Sequence, residues 1–222
     1  MTGGNAQRCP HQSSQARLPP VTETIAAPEP GLLYELPTIL DRVPVAKLFP
    51  TTQPLQVELG CGDASFLAEY ARQNPTVNFI GIERLLGRLR KVERKGRRLG
   101  LTNLCGIRIE SAYFLEFLLP QHVAEALHIY FPDPWPKKKH RRFRLINERF
   151  PTLAWQALQP AGIVYLRTDD VDYFQQMTEV FAADQRFRPV ETPTNLAAVL
   201  TDFERDFNAE GIPTQRAAYQ RD

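Results

Sequence analysis

The sequence predicts an α/β fold with a mostly parallel sheet and helices on both faces. Three observations lead there. Short apolar, β-branched runs alternate with amphipathic stretches from about Gln53 onward. A Gly-x-Gly turn, Gly60-Cys61-Gly62, falls where the first of these runs gives way to a helical pattern. An acid, Glu83, then closes the next run, about twenty residues further on.

Taken in order, LQVEL (Leu55 to Leu59) is the first strand, and Ala64 to Gln73 a helix stopped by Asn74-Pro75. VNFIGIE (Val77 to Glu83) is the second strand. A strongly basic helix follows over Arg84 to Leu99, with Gly100 as its C-terminal stop. Leu104 to Ile109 is the third strand and Tyr113 to Leu119 a short helix ended by Pro120. Ala126 to Phe131 is the fourth strand. Leu145 to Leu158 reads as helical, with Pro151 arguing for a break or a late start. Ile163 to Arg167, the helix Val171 to Ala183, the strand Phe187 to Glu191 and a strand in the tail complete a seven-stranded sheet. Upstream, Gly31 to Phe49 reads as one helix. Met1 to about Pro30, with five prolines and many small polar residues, reads as a disordered leader before a single domain over 31–222.

Composition narrows the function. Apolar residues make up 43% and charged residues 23%, and no apolar run approaches the ~20 residues of a membrane span. Cys9, Cys61 and Cys105 have no metal-like spacing, so the expectation is a reduced, cytoplasmic protein without a metal, a membrane or an obligate protein partner. Net charge is only +2, but its distribution is uneven. Arg84 to Arg98 holds eight Lys/Arg against one acid, and Lys137 to Arg144 holds six more, together 14 of the 27 basic residues. On one face, the two runs would form a footprint for a polyanion.

Two motifs carry chemistry. In VELGCGDASF (Val57 to Phe66), Gly60 and Gly62 permit a tight turn that aims a helix N-terminus at a ligand, and Glu83 is placed to accept hydrogen bonds from ribose hydroxyls. Two cofactors suit that geometry. A dinucleotide site has a third glycine where this chain has Ser65. Glu58, just before the glycines, would repel a pyrophosphate but welcome the ammonium and sulfonium of S-adenosylmethionine. Electrostatics favours the methyl donor; Glu110, ending the third strand, is placed for the adenine amino group and reads equally well as a surface acid. The second motif is FPDPWPKKKHRR (Phe131 to Arg142). Its prolines stiffen the segment around Asp133 and Trp135 just past a strand end, beside a block of cations.

The combination ELGCG, GIE, FPDPWPKK and TDFE closely resembles the bacterial tRNA (guanine-N7)-methyltransferase family, from about Leu32 to the C-terminus. The resemblance implies the class I S-adenosylmethionine-dependent methyltransferase fold, which is Rossmann-like, and methylation of a guanine in the tRNA variable loop. It implies cofactor contacts at Glu58, Glu83, Glu110 and Asp133, with Asp133 catalytic, and substrate contacts at Lys137, Asp169, Thr201, Asp202, Phe203 and Glu204. Glu110 departs from the usual Asp or Asn, and Asp202 stands where Lys is frequent. Asp169 can serve as a substrate contact, as the N-cap of the helix beginning at Val171, or as both. A methyltransferase on another base or on a protein, and a non-catalytic RNA-binding protein of the same fold, are the alternatives.

Overall fold

A computed structural model describes residues 1–3 and 32–222. The leader expected over 1–30 therefore lies almost wholly outside the described residues. Eight strands form one sheet: β1 (Leu33–Tyr34), β2 (Leu55–Leu59), β3 (Asn78–Ile82), β4 (Leu104–Ile107), β5 (Ala124–Tyr130), β6 (Leu158–Thr168), β7 (Phe187–Val190) and β8 (Gln215–Arg221). Their order is β1-β4-β3-β2-β5-β6-β8-β7. All pairings are parallel except those of β8, which runs antiparallel to both β6 and β7. Chain order reverses between β2 and β5, and ligands of open α/β sheets bind in the crevice at such a point.

The helices divide between the faces. On one side α1 (Ser65–Gln73), α2 (Leu86–Arg98) and α6 (Thr194–Ala198) bury Phe66, Leu67, Tyr70, Leu89, Val92 and Leu196. On the other, α3 (Ser111–Tyr113) runs into a π-helical turn (Phe114–Leu118). There α4 (Phe150–Ala157) and α5 (Val171–Ala182) bury Phe150, Tyr173, Met177 and Phe181. α7 (Asp202–Ala209) brings Phe203 and Phe207 to within 6.3 and 5.7 Å, ring to ring, of Phe131 at the end of β5. Strand alternation sends Val57, Leu127 and Leu166 to one core and Glu58, His128 and Arg167 to the other.

Three expectations needed correction. The sheet has eight strands rather than seven, because Leu33–Tyr34 adds a two-residue edge beside β4. The helix expected over 31–49 is absent from its described part, 32–49. Pro37 and Pro44 interrupt it, leaving only a 3-10 turn at Val45–Lys47. The segment 194–209, given no element in advance, folds into α6 and α7. Pro151 marks a late helix start, since it lies in the first turn of α4.

Candidate active site

Backbone geometry builds the first wall. After β2, Gly60 and Gly62 adopt φ of 79° and 55°, a region that costs L side chains energy, and the amides of Gly60 and Cys61 both donate to the Ile82 carbonyl (2.8 and 2.9 Å). A Cβ on either glycine would meet nothing within 4 Å, so the turn needs glycine for its φ and leaves open space above it. A cavity of about 610 Å³ opens there. Gly60, Glu83, Glu110, Tyr130, Phe131, Asp133, Trp135 and Phe143 are among its lining residues.

Each predicted acid is fixed differently. Glu83 is buried, accepts from the Leu85 amide at 2.7 Å, and lies 4.0 Å from Arg88. Glu110 is exposed and caps α3, accepting from Ala112 at 3.0 Å and Tyr113 at 2.7 Å. Both line the cavity and keep acceptor capacity beyond these bonds. Glu58 lies beneath the turn, 4% exposed, and its Oε2 has no hydrogen-bond partner. Burial pushes its pKa up to about 8, against the smaller opposing pull of Arg167. The free site thus holds Glu58 largely protonated at neutral pH, not as the anion that sequence reasoning assumed. A buried carboxyl without a partner is costly, and a ligand cation set against it would offset that cost.

Beneath the site runs a satisfied polar stripe. Gln56 donates from Nε2 to Glu125 at 3.1 Å, so its Oε1 accepts from His128 Nε2 at 2.8 Å. His128 Nδ1 is then an acceptor, 2.8 Å from the Tyr130 hydroxyl that donates to it. Desolvation lowers the His128 pKa to about 3, which keeps the ring neutral and structural. Arg167 stacks 4.3 Å over Tyr130.

The second wall is the proline-bracketed loop. Phe131 and Trp135 take φ of 50° and 44°, strained for bulky residues by about 1–3 kcal/mol each. The loop is pinned at its base, where the Phe131 amide donates to the Arg167 carbonyl at 2.8 Å. Arg144, 1% exposed, holds the middle: Nε donates to the Pro134 carbonyl (2.7 Å), Nη1 to Gln176 (2.8 Å) and Nη2 to Asp172 (2.7 Å). Between those anchors the exposed Asp133 carboxylate accepts no hydrogen bond from any described residue.

The remaining predicted residues separate. Asp169 is not the helix N-cap, because Asp170 Oδ1 takes that role toward the Tyr173 amide at 2.7 Å. Thr201 caps α7 through its hydroxyl. Asp202 turns to Lys95 (3.8 Å) and Arg205, away from the cavity. Glu204 is fully buried and pairs with Arg167 at 2.9 Å and with Arg216. Of that quartet only Phe203 has an exposed side chain (54%), and its ring lies 6.3 Å from that of Phe131, which lines the cavity. The basic run also divides. Arg144 is buried and Arg141 is paired with Asp172, which leaves Lys137, Lys138, Lys139 and Arg142 without a carboxylate partner among the described residues. Sequence reasoning missed Arg144 as a loop anchor and Phe143 as a lining residue, since both sit inside what reads as a charge run.

A family model described as "Putative methyltransferase" matches residues 52–217. A tRNA (guanine-N(7)-)-methyltransferase of Nitrosomonas europaea is 34% identical over 184 residues, covering 78% of each chain. The chain belongs to this methyltransferase family. A relative of the same name from Rubrobacter xylanophilus is 36% identical over 142 residues, and the match spans 63% of that relative's length. Among solved structures, a 30S ribosomal A1408 methyltransferase from an uncultured bacterium superposes with a TM-score of 0.56 at 18% identity, covering 80% of this chain and 92% of that one. TrmN from Thermus thermophilus gives 0.54 at 17%, covering 77% and 45%. These neighbours share the class I fold. The open turn at Gly60 and Gly62, the orphaned Glu58 oxygen and the acids at Glu83 and Glu110 fit the family's methyl donor. Among the described residues no cluster of His, Cys, Asp and Glu could hold a metal, and no helix is long and apolar enough to cross a membrane.

Proposed function

We propose that the protein transfers a methyl group from S-adenosylmethionine to N7 of a guanine in the variable loop of tRNA, in the cytoplasm. The observation that carries this reading is Asp133. Its carboxylate has no hydrogen-bond partner among the described residues, sits in a backbone anchored on both sides at Phe131 and Pro134, and lines a cavity that Gly60, Glu83 and Glu110 also line.

When bound, S-adenosylmethionine supplies an electrophilic methyl on a sulfonium. Glu58 would face the ammonium of the donor, Glu83 the ribose hydroxyls, and Glu110 the adenine amino group. Guanine N7 carries an in-plane lone pair, so no residue has to remove a proton before attack. The work left to the protein is alignment, which can account for ~7–11 kcal/mol of a barrier. Asp133 accepts hydrogen bonds from the bound groups and stabilises positive charge as it develops on the purine. Lys137 begins the cationic segment that would meet phosphate, and Asp169 and Phe203 would hold the base from its other side. Thr201 and Glu204 serve by fixing α7, so that Phe203 stays beside Phe131. Asp202 contributes through Lys95 rather than by touching RNA.

The test is transfer of labelled methyl to bulk tRNA and to DNA, with Asp133→Ala beside the unaltered protein. The reading expects label in tRNA alone, and turnover reduced by Asp133→Ala while tRNA affinity is kept. Label in DNA, or unchanged turnover in the variant, would contradict it.

A further inference from the structure

Phe143 does not fit the role of its surroundings. It closes a 3-10 segment (Lys138–Phe143) made otherwise of cations and a histidine, yet it is 52% exposed and lines the cavity that holds Asp133. A single exposed apolar side chain is ordinary. This one belongs to a built group. Its ring packs against Trp135 at 5.4 Å between centroids and lies 6.0 Å from the His140 ring. The Arg142 guanidinium stands 4.9 Å over its face. Trp135 is held in a left-handed backbone, and the next residue after Phe143 is the buried Arg144 that grips Pro134. The ring is therefore an exposed aromatic surface among the cavity's lining residues, one face covered by an Arg142 guanidinium that has no carboxylate partner among the described residues and must swing away, or leave the opposite face, for a base to stack.

We propose that Phe143 is a positioning residue: it receives the face of the target guanine once that base has left the RNA stack, with Arg142 meeting the adjoining phosphate. The inference rests on the proposed tRNA reaction and adds to it the means by which an unpaired base is held. Unstacked bases are bound by aromatic faces together with cations, and the ledge offers both. Trp135 backs the ledge, its ring tilted 56° to that of Phe143 at 5.4 Å.

The experiment compares Phe143→Leu and Phe143→Trp with the unaltered protein on an unmodified tRNA transcript. Methyl transfer is measured as KM and kcat separately, and S-adenosylhomocysteine affinity by calorimetry reports an intact fold. Phe143→Leu keeps the apolar volume without the π face. It is expected to raise KM for tRNA about ten-fold, within the ~5- to 150-fold that a lost base–aromatic stack represents. Phe143→Trp restores KM. With 2-aminopurine in place of the target guanine, fluorescence is quenched by the unaltered protein and by Phe143→Trp, and stays bright with Phe143→Leu. Equal KM and equal quenching for Phe143→Leu and the unaltered protein would overturn the inference alone, as would equal impairment of both variants. An unaltered protein that methylates no tRNA would overturn the underlying reading with it.

Discussion

Arg144 donates from Nε to the carbonyl of Pro134, ten residues upstream, at 2.7 Å. That bond ties the middle of the Asp133 loop to α5, because the same guanidinium binds Gln176 and Asp172 and stacks 4.6 Å over Tyr173. Lysine cannot reproduce a planar fork with three acceptors. Arg144→Lys should therefore lower turnover ~100-fold through misplacement of Asp133, with cofactor affinity preserved. Steady-state kinetics beside calorimetry checks this, and normal turnover would remove the anchoring role.

Glu58 makes cofactor binding depend on pH. In the free protein its carboxyl has a pKa pushed up to about 8 by burial, so it is mostly protonated at pH 7. A cation placed against it favours the carboxylate, which lowers the pKa in the complex. Binding then releases up to about one proton near neutrality, and affinity for S-adenosylmethionine rises with pH until it levels above about 8. Calorimetry in buffers of different ionisation enthalpy reads the proton directly. Glu58→Gln should abolish the release, and an unchanged release in that variant would assign the proton elsewhere.

The cations fall into structural and free sets. Replacing Lys137, Lys138, Lys139 and Arg142 with Gln should flatten the dependence of log K on log salt by up to ~3.6, at about 0.7–0.9 per lost phosphate contact. Replacing Arg141, already paired with Asp172 at 2.8 Å, should change the slope little. Filter binding across salt concentrations separates the two sets. A slope that follows Arg141 instead would move the RNA footprint.

Glu204 and Arg167 form a fully buried pair, and Arg167 also donates to the carbonyls of Leu196 and Val199. Removing one member leaves a buried charge unanswered. Glu204→Ala should cost about 3–5 kcal/mol by chemical denaturation. A loss of activity at full stability would instead assign Glu204 a direct contact with substrate.

The sheet was legible because its strands are short apolar runs bounded by Gly, Pro and Asn, and because Gly60, Gly62 and Glu83 mark the crevice. Glu58, Gly60, Glu83, Glu110 and Asp133 do gather around one cavity or beneath it. What the chain hid is what depends on long-range partners. Arg144 reads as one more charge until its buried contacts with α5 are seen. Glu204 reads as a substrate contact until Arg167 and Arg216 converge on it. Leu33–Tyr34 is too short to show a period, and its strand exists only through β4. The protonated state of Glu58 follows from burial, which spacing does not reveal.

The most direct measurement maps the methylated position. A tRNA transcript incubated with the protein and S-adenosylmethionine is reduced with borohydride and treated with aniline, which breaks the chain at N7-methylguanine. One cleavage is expected, at a guanine of the variable loop, and Asp133→Ala should sharply slow its appearance. Methyl incorporation without cleavage, or cleavage at an undiminished rate in the variant, would contradict that expectation.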